Sequence, residues 1–223
     1  MTRRFDPALI PPAPDLSLEN DLWKNQIDLI AGLDEAGRGA WAGPVVAAAV
    51  ILPRDPSIPV ILAGARDSKQ LRPDQRSKLE PLIKQSVLAW GVGFASCQEI
   101  DELGILPATR LAMLRALDDL KMKPSHLLID ALFLPEIEIS QTSLIKGDQR
   151  SLSIAAASIL AKTARDRWMV EYSKQAEAYA FEHNKGYGTR AHLAALERCG
   201  PCPQHRRYYA PIKSLMNKRA EEV

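Results

Sequence analysis

The stretch Asp28–Leu52 reads DLIAGLDEAGRGAWAGPVVAAAVIL and gives the clearest indication of the fold. Its two apolar runs, Asp28–Asp34 and Pro44–Leu52, are short, and the second is β-branched at both ends, which is typical of buried strands. The first run closes with an acidic pair, Asp34 and Glu35, and the three glycines between this pair and the second run permit a turn. The stretch therefore predicts two buried strands joined by a loop that carries polar groups.

Beyond this stretch, strands and helices alternate. Three more strands are predicted at Ser86–Ala95, His126–Ala131 and Thr142–Ile145. Helices are predicted at Arg72–Gln85, at Pro107–Leu120, from Ser151 towards Tyr179 and at Thr189–Cys199. Pro81 is expected to kink or shorten the first of them. This order predicts an α/β fold, in which a mixed five-stranded sheet is flanked by helices and followed by a helical basic C-terminal segment.

Length and composition predict one globular domain with short extensions. The 223 residues are 46% hydrophobic and 25% charged. Proline-rich residues 1–25 are expected to form a flexible arm, residues 26–213 the domain, and residues 214–223 a tail. No apolar run is long enough to span a membrane or serve as a signal peptide, and three cysteines fit a reducing compartment. We therefore expect a cytoplasmic protein, and nothing indicates more than a monomer.

Positive charge is concentrated at the C-terminal end. Residues 183–219 contain eight Lys and Arg but one acid, whereas the chain as a whole has a formal net charge of +2. Basic residues that replace the counterions of a polyanion give affinity for nucleic acid that does not depend on its sequence. The segment therefore indicates a surface facing nucleic acid, although such runs are often merely solvated.

Four acids follow apolar runs at positions where side chains leave the core. Asp34 and Glu35 close the first predicted strand, Asp130 ends the fourth, and Asp148 lies in a Lys-Gly-Asp turn before a long helix. Singly, Asp130 reads equally well as a turn residue and Asp148 as a helix-terminal acid. Together, four carboxylates at one edge would repel one another without a cation. Oxygen ligands alone favour Mg²⁺ or Mn²⁺.

The loop after the acidic pair contains Gly37, Arg38 and Gly39. Adjacent strand residues point to opposite faces, so Asp34 and Glu35 share one metal centre only if the backbone turns there. The glycines supply such a turn and let the backbone approach a ligand closely, while the arginine is suited to phosphate. The loop therefore indicates phosphoryl chemistry on a nucleic-acid backbone.

The sequence resembles the type 2 ribonucleases H, specifically bacterial ribonuclease HII. The stretches that carry the resemblance span about residues 29–213: Gly32–Gly39, Ala42–Val45, Asp67–Lys69, Glu99–Leu103, Ile129–Asp130, Lys146–Asp148, Ser151–Lys162, Gly186–Thr189 and His205–Arg206. The resemblance implies a ribonuclease H-like fold whose metal-binding carboxylates are Asp34, Glu35, Asp130 and Asp148. It also implies an endonuclease that cuts RNA in RNA–DNA hybrids and nicks duplex DNA 5′ of single ribonucleotides, leaving 3′-hydroxyl and 5′-phosphate ends.

The same resemblance implies roles in substrate binding. The backbone of Gly37, Arg38 and Gly39 would contact the ribose 2′-hydroxyl, the group that distinguishes RNA from DNA. Tyr187 would stack on the next sugar, so that the pair recognises an RNA-to-DNA junction, and Lys69 would hold a neighbouring phosphate. The chain departs from the family pattern at Ala40-Trp41 (usually Pro-Leu), Gly104 (usually Asn) and Tyr208-Tyr209 (usually Ser-Phe). These departures affect the expected substrate preference, not the expected reaction.

Other readings of the same residues are weaker. The glycines at 32, 37 and 39 imitate a P-loop or a dinucleotide fingerprint, but acids occupy the loop and a strand follows it. Cys199 and Cys202 copy a redox motif at the wrong end of a helix, and a zinc site there lacks a visible fourth ligand. Lys185 and Arg190 read equally as phosphate contacts and as solvated residues. Rival classes are a non-catalytic hybrid-binding module and a thiol oxidoreductase.

Overall fold

The computed structural model describes residues 5–221, with side chains described as far as Lys218. Its five strands are β1 (Ile30–Ala36), β2 (Val45–Ile51), β3 (Ala89–Ala95), β4 (His126–Asp130) and β5 (Ser140–Leu144). They form one sheet in the order β3-β2-β1-β4-β5. β1 pairs antiparallel with β2 and parallel with β4. The predicted mixed five-stranded sheet is therefore confirmed.

Nine helices are found among the described residues. They are α1 (Ser17–Lys24), α2 (Ile58–Ile61), α3 (Pro73–Ser86), α4 (Cys97–Leu103), α5 (Ile105–Asp119), α6 (Leu152–Ser173), α7 (Phe181–Asn184), α8 (Arg190–Cys199) and α9 (Ala210–Glu221). The four predicted helices correspond to α3, α5, α6 and α8. α3 continues through Pro81 instead of stopping there, whereas α6 ends six residues before Tyr179.

Helices cover both faces of the sheet. The apolar side chains of α6 and α3 form one core with alternate residues of β2, such as Ala48 and Val50. α5 and the other residues of β2, Ala47 and Ala49, belong to the core of the opposite face. Because side chains alternate across a strand, the continuous apolar run of β2 serves both cores.

Glycine allows close packing at two places. Gly91 and Gly93 of β3 lie against α5, where an added Cβ would come within 2.3 Å of the Ala116 carbonyl and 2.1 Å of the Ala112 carbonyl, respectively. Gly32 of β1 meets the backbone of Ser153 at the start of α6 in the same way. These contacts explain the two glycines in a predicted strand and bring the start of α6 close to β1.

Part of the predicted N-terminal arm packs on the domain. Leu16 and Trp23, at the start of and within α1, are buried in the α6 core. The buried Glu19 accepts hydrogen bonds from the Ser151 hydroxyl (2.6 Å), the Ser153 hydroxyl (2.6 Å) and the Ser153 amide (3.0 Å). This carboxylate therefore caps the N-terminus of α6, where the helix dipole favours negative charge. Residues 1–4 of the arm and 222–223 of the tail lie outside the described residues.

The helices of the described chain are all too short or too polar to cross a membrane.

Candidate active site

The first acidic pair belongs to β1, which runs two residues further than predicted. Asp34 is buried, and its Oδ1 accepts the amide proton of Glu35 at 2.7 Å. Oε1 of Glu35 pairs with Nη1 of Arg38 at 3.1 Å, while the buried Oε2 has no hydrogen-bond partner. The turn therefore follows Ala36, and the predicted turn between Asp34 and Glu35 is absent, so the two side chains leave the strand on different sides. Together with burial, the charge of Asp130 nevertheless acts on both carboxylates and raises the pKa of each.

The second pair of acids comes from neighbouring elements. Asp130 ends β4, and Asp148 lies in a short 3-10 turn, Gly147–Gln149, that precedes α6. Oδ1 of Asp130 accepts the amide proton of Gly147 at 2.6 Å. Because β1 and β4 are parallel neighbours, their carboxyl ends lie at the same edge of the sheet. Asp34 and Glu35 of β1 therefore share this edge with Asp130 of β4, as predicted.

A fifth acid, Asp67, completes what we call the acidic cluster (Asp34, Glu35, Asp67, Asp130 and Asp148). Asp67 is buried, and its Oδ1 accepts the amide proton of Lys69 at 2.9 Å. It was missed as a member of the site because it follows no predicted strand. The signal was available, since Asp67 stands two residues before Lys69 in a stretch that carries the family resemblance.

Burial and mutual repulsion dominate the electrostatics of the cluster. Burial, followed by the charges of Glu35 and Asp130, raises the pKa of Asp34 well above its ordinary value. Burial and the charge of Asp130 raise the pKa of Asp148 to about 7. Burial alone would lower the pKa of Lys69, but the charges of Asp34, Asp67 and Asp148 outweigh it and raise this pKa. The acids therefore lie close enough to oppose one another's ionisation.

The donor set fits a hard divalent cation in its chemistry. All donors are carboxylate oxygens, and Oε2 of Glu35 is buried without a partner. As the side chains stand, no three His, Cys, Asp or Glu of the described residues are grouped as metal ligands. Binding of Mg²⁺ or Mn²⁺ would therefore require carboxylate side chains to rotate towards the ion.

The loop after β1 turns at the predicted glycines. Gly37 has a φ of +98°, and its carbonyl accepts the amide proton of Ala40 at 3.2 Å, which closes a β-turn. Gly39 is exposed, and no atom lies within 4 Å of the position that a Cβ would occupy. The backbone groups of Gly39 are therefore accessible to a ligand, as recognition by this loop requires.

Tyr187 lies on a second loop, residues 185–189, which we call the tyrosine loop. This loop is hydrogen-bonded to the loop after β1. The amide of Trp41 donates to the Gly186 carbonyl at 2.8 Å, and a Cβ on Gly188 would lie 2.1 Å from the Trp41 ring. Lys162 Nζ lies 5.2 Å from the centroid of the Tyr187 ring. Trp41, a departure from the family pattern, thus packs directly against the tyrosine loop.

Two buried arginines, which we call the loop clamp, hold these loops together. Arg165 donates to the carbonyls of Pro44 (2.9 Å), Lys185 (2.9 Å) and Ala42 (3.0 Å). Arg206 donates to the carbonyls of Gly43 and Arg38. Both side chains are fully buried, and burial lowers the pKa of Arg165 to about 10, which leaves it charged at neutral pH.

The loop clamp corrects one prediction. Arg165 donates to carbonyls, whereas the neighbouring Asp166 pairs with Arg76 and Lys162. Arg206 was counted in the basic surface, yet it is completely buried. Sequence alone gave no signal for either role, because their partners are backbone carbonyls. Lys185 and Arg190 were predicted equally as phosphate contacts and as solvated residues. The ammonium group of Lys185 donates a hydrogen bond to the Glu182 carbonyl, whereas Arg190 is exposed.

In the C-terminal segment, His192 and His205 have a structural role, and the cysteines form no disulfide. All three cysteines are free; Cys199 ends α8, and burial raises the pKa of Cys202, which disfavours the reactive thiolate. His205 and His192 form a buried pair with their Nε2 atoms 2.9 Å apart. The structure therefore supports neither a redox motif nor, among the described residues, a zinc site.

Hydrogen-bond partners determine the tautomers of the histidine pair. Nδ1 of His205 accepts the amide proton of Cys202 at 2.9 Å, so its proton must be on Nε2, from which it is donated to His192. His192 then carries its own proton on Nδ1, 3.0 Å from the Tyr187 carbonyl. The pair thus connects the segment after α8 with the tyrosine loop.

A mixed sheet with acids at the ends of parallel strands, next to an open glycine loop, has the architecture of the ribonuclease H class. The ribonuclease H2 of Pyrococcus horikoshii OT3, a solved structure, superposes with a TM-score of 0.69 at 26% identity over 86% of this chain and 99% of that one. The predicted ribonuclease H-like fold is therefore confirmed.

Sequence comparison gives the family. The family model described as Ribonuclease HII matches residues 31–211. A ribonuclease HII of Caldanaerobacter subterraneus is 50% identical over 86% of this chain and 78% of its own length. One from a Synechococcus strain is 52% identical over 91% and 90%. The chain belongs to the ribonuclease HII family, and it is therefore a ribonuclease H, a nuclease that acts on RNA–DNA hybrids.

Proposed function

We propose that this chain is a divalent-metal-dependent endoribonuclease that also nicks duplex DNA 5′ of single embedded ribonucleotides. The observation that carries the proposal is the position of the acidic cluster beside the Gly37-Arg38-Gly39 loop, which Glu35 joins through its ion pair with Arg38. Chemistry on a phosphodiester and recognition of its sugar are thereby available within one site. Such an enzyme would remove ribonucleotides during DNA replication and repair.

In this proposal Asp34, Glu35, Asp130 and Asp148 hold Mg²⁺ or Mn²⁺. When bound, such ions activate water and stabilise the charge that develops on the phosphate oxygens. The acids are suited to this position because burial and repulsion raise their pKa values, so that a cation would relieve an unfavourable arrangement. Asp67 and Lys69 would support the site from its edge, with Lys69 holding a neighbouring phosphate.

The two loops would read the sugar-phosphate backbone. The open backbone at Gly37, Arg38 and Gly39 would pair with the ribose 2′-hydroxyl, and Tyr187 would stack on the following deoxyribose. The hydrogen bond from Trp41 to Gly186 supports these two roles, since it joins the loop after β1 to the loop that carries Tyr187. Cleavage would leave a 3′-hydroxyl and a 5′-phosphate. We further infer a monomer that works in the cytoplasm, with residues 26–213 as its catalytic domain.

The test uses a DNA duplex with one ribonucleotide in a labelled strand. We expect a nick immediately 5′ of the ribonucleotide with Mg²⁺ or Mn²⁺, no nick with chelator, and no nick in an all-DNA duplex. Nicking in chelator would contradict the metal assignment. Binding of an RNA–DNA hybrid without any cleavage, by protein shown to be folded, would favour the rival hypothesis of a non-catalytic binding module.

A further inference from the structure

The hydroxyl of Tyr209 contacts the backbone of the ribose-reading loop. It donates a hydrogen bond to the Arg38 carbonyl at 2.6 Å. Nη1 of Arg206 donates to the same carbonyl at 2.9 Å and lies 3.0 Å from the Tyr209 hydroxyl. One carbonyl oxygen, in the middle of the turn that begins at Gly37, is therefore held by two side chains from the C-terminal segment.

The peptide that contains this carbonyl is the one in a β-turn that is able to flip. Arg38 and Gly39 are the two central residues of the turn closed by Gly37 and Ala40. Type I and type II turns differ by rotation of the peptide between those central residues, and type II requires positive φ at the second of them. Gly39 is outside that range of φ in the structure, but glycine permits both turn types.

The orientation of this peptide decides what the loop offers to a ligand. In a planar trans peptide the carbonyl of Arg38 and the amide of Gly39 point in opposite directions. With the carbonyl held inward by Tyr209 and Arg206, the amide proton of Gly39 points away from them, where the residue is exposed. A flipped peptide would present an acceptor at the same place instead of a donor.

We propose that Tyr209 is a specificity-determining positioning residue, which keeps the Arg38–Gly39 peptide in the orientation that donates to a ribose 2′-oxygen. This inference rests on the proposed function of the loop as the reader of the ribose. Tyr209→Phe isolates the effect, because it removes only the hydroxyl and keeps the ring that packs over the Arg206 guanidinium at 5.2 Å. Phe is also the residue that the family resemblance leads one to expect at this position.

The first experiment compares nicking of two duplexes, one with a single ribonucleotide and one with a 2′-fluoro nucleotide, which lacks the hydroxyl proton and accepts hydrogen bonds weakly. Loss of one orienting hydrogen bond predicts that Tyr209→Phe reduces the ratio of kcat/KM for the two substrates about threefold to tenfold. The matched control is Tyr208→Phe, whose side chain is exposed and should leave the ratio unchanged. An unchanged ratio in Tyr209→Phe would overturn the inference.

A second experiment does not depend on activity. In ¹H–¹⁵N spectra of the free protein, we expect the Gly39 amide signal to shift or broaden in Tyr209→Phe, because the peptide samples both orientations, and to stay in place in Tyr208→Phe. An unperturbed Gly39 signal in Tyr209→Phe would contradict the proposed anchoring. If the wild-type protein fails to nick the ribonucleotide duplex while the spectra change as expected, the proposed function fails and the anchoring of the peptide stands.

Discussion

The acidic cluster and the loop clamp are adjacent, but their buried charged groups differ in how completely they are hydrogen-bonded. In the acidic cluster, buried carboxylates face one another, and Oε2 of Glu35 has no hydrogen-bond partner. In the loop clamp, by contrast, the buried guanidinium groups of Arg165 and Arg206 donate hydrogen bonds to backbone carbonyls. The acidic cluster is thus left unfavourable by itself, which suits the proposed binding of a cation, whereas the loop clamp is satisfied by the protein alone.

This difference distinguishes the acidic cluster, which we propose for catalysis, from the loop clamp, which positions the loops. A carboxylate that is already saturated with hydrogen bonds would have little to offer a metal ion, so incomplete pairing fits the proposed metal site. The proposed recognition of a hydroxyl by the loop requires fixed backbone groups, and complete pairing of the groups behind the loop meets this requirement. Variants of the two regions should therefore fail differently: those of the acidic cluster in activity, and those of the loop clamp in stability.

The largest expected effect is on catalysis by Asp34→Asn. Removal of one buried charge should lower cleavage of the ribonucleotide duplex by roughly a thousandfold, while hybrid binding and the fold persist. Stability should not fall, because the variant loses a carboxylate that burial and its neighbours destabilise. Single-turnover cleavage and thermal unfolding would be measured beside Asp118→Asn, an exposed acid on α5. Near-normal cleavage by Asp34→Asn would remove Asp34 from the site.

The next effect concerns stability and comes from Arg165→Met. The substitution keeps much of the side-chain volume but leaves the carbonyls of Ala42, Pro44 and Lys185 without their donor, which should cost about 3 kcal/mol or more. The control is Arg167→Met, two residues away on α6, where a side chain that is 65% exposed pairs with Glu80. That exposed pair is worth about 1 kcal/mol at most. Similar urea midpoints for the two variants would contradict the structural role of Arg165.

Sequence patterns predicted the acidic cluster better than the loop clamp, for a physical reason. Asp34 and Asp130 stand in or at the end of apolar strands, so local periodicity already places them at the edge of a sheet. Asp67 follows no such strand and was missed. The partners of Arg165 and Arg206 are carbonyls that folding brings from distant parts of the chain, and a carbonyl has no sequence signature. The basic residues were therefore interpreted as solvated or as facing nucleic acid.

The same limit applies to the rest of the fold. The sheet and the long helices follow from hydrophobic periodicity, as in the predicted strand and helix that correspond to β2 and α5. α1 was not predicted, because the prolines before it indicate an irregular arm. It is held by contacts far along the chain, through Glu19 to the start of α6. The division into arm, domain and tail stays a prediction.

The smallest expected effect is a response to acid, in which the histidine pair behind the tyrosine loop and the acidic cluster should oppose each other. Burial and the neighbouring His192 lower the pKa of His205 to about 4, below its ordinary value. The unfolded chain therefore binds more protons, and this group's contribution to stability is present above its ordinary pKa and falls as the pH drops towards 4. The raised pKa of Asp148 acts in the opposite sense, because protonation relieves repulsion in the folded state.

His205→Gln separates these two responses. The variant removes the proton uptake that disfavours the fold and leaves the acidic cluster intact, so from about pH 7.5 to about pH 5 its unfolding temperature should fall less, or rise more, than that of the wild-type protein. The matched control is His183→Gln, whose side chain is 82% exposed and should leave the pH dependence unchanged. An equal pH dependence in wild type and His205→Gln would mean that protonation of His205 does not contribute to the acid response.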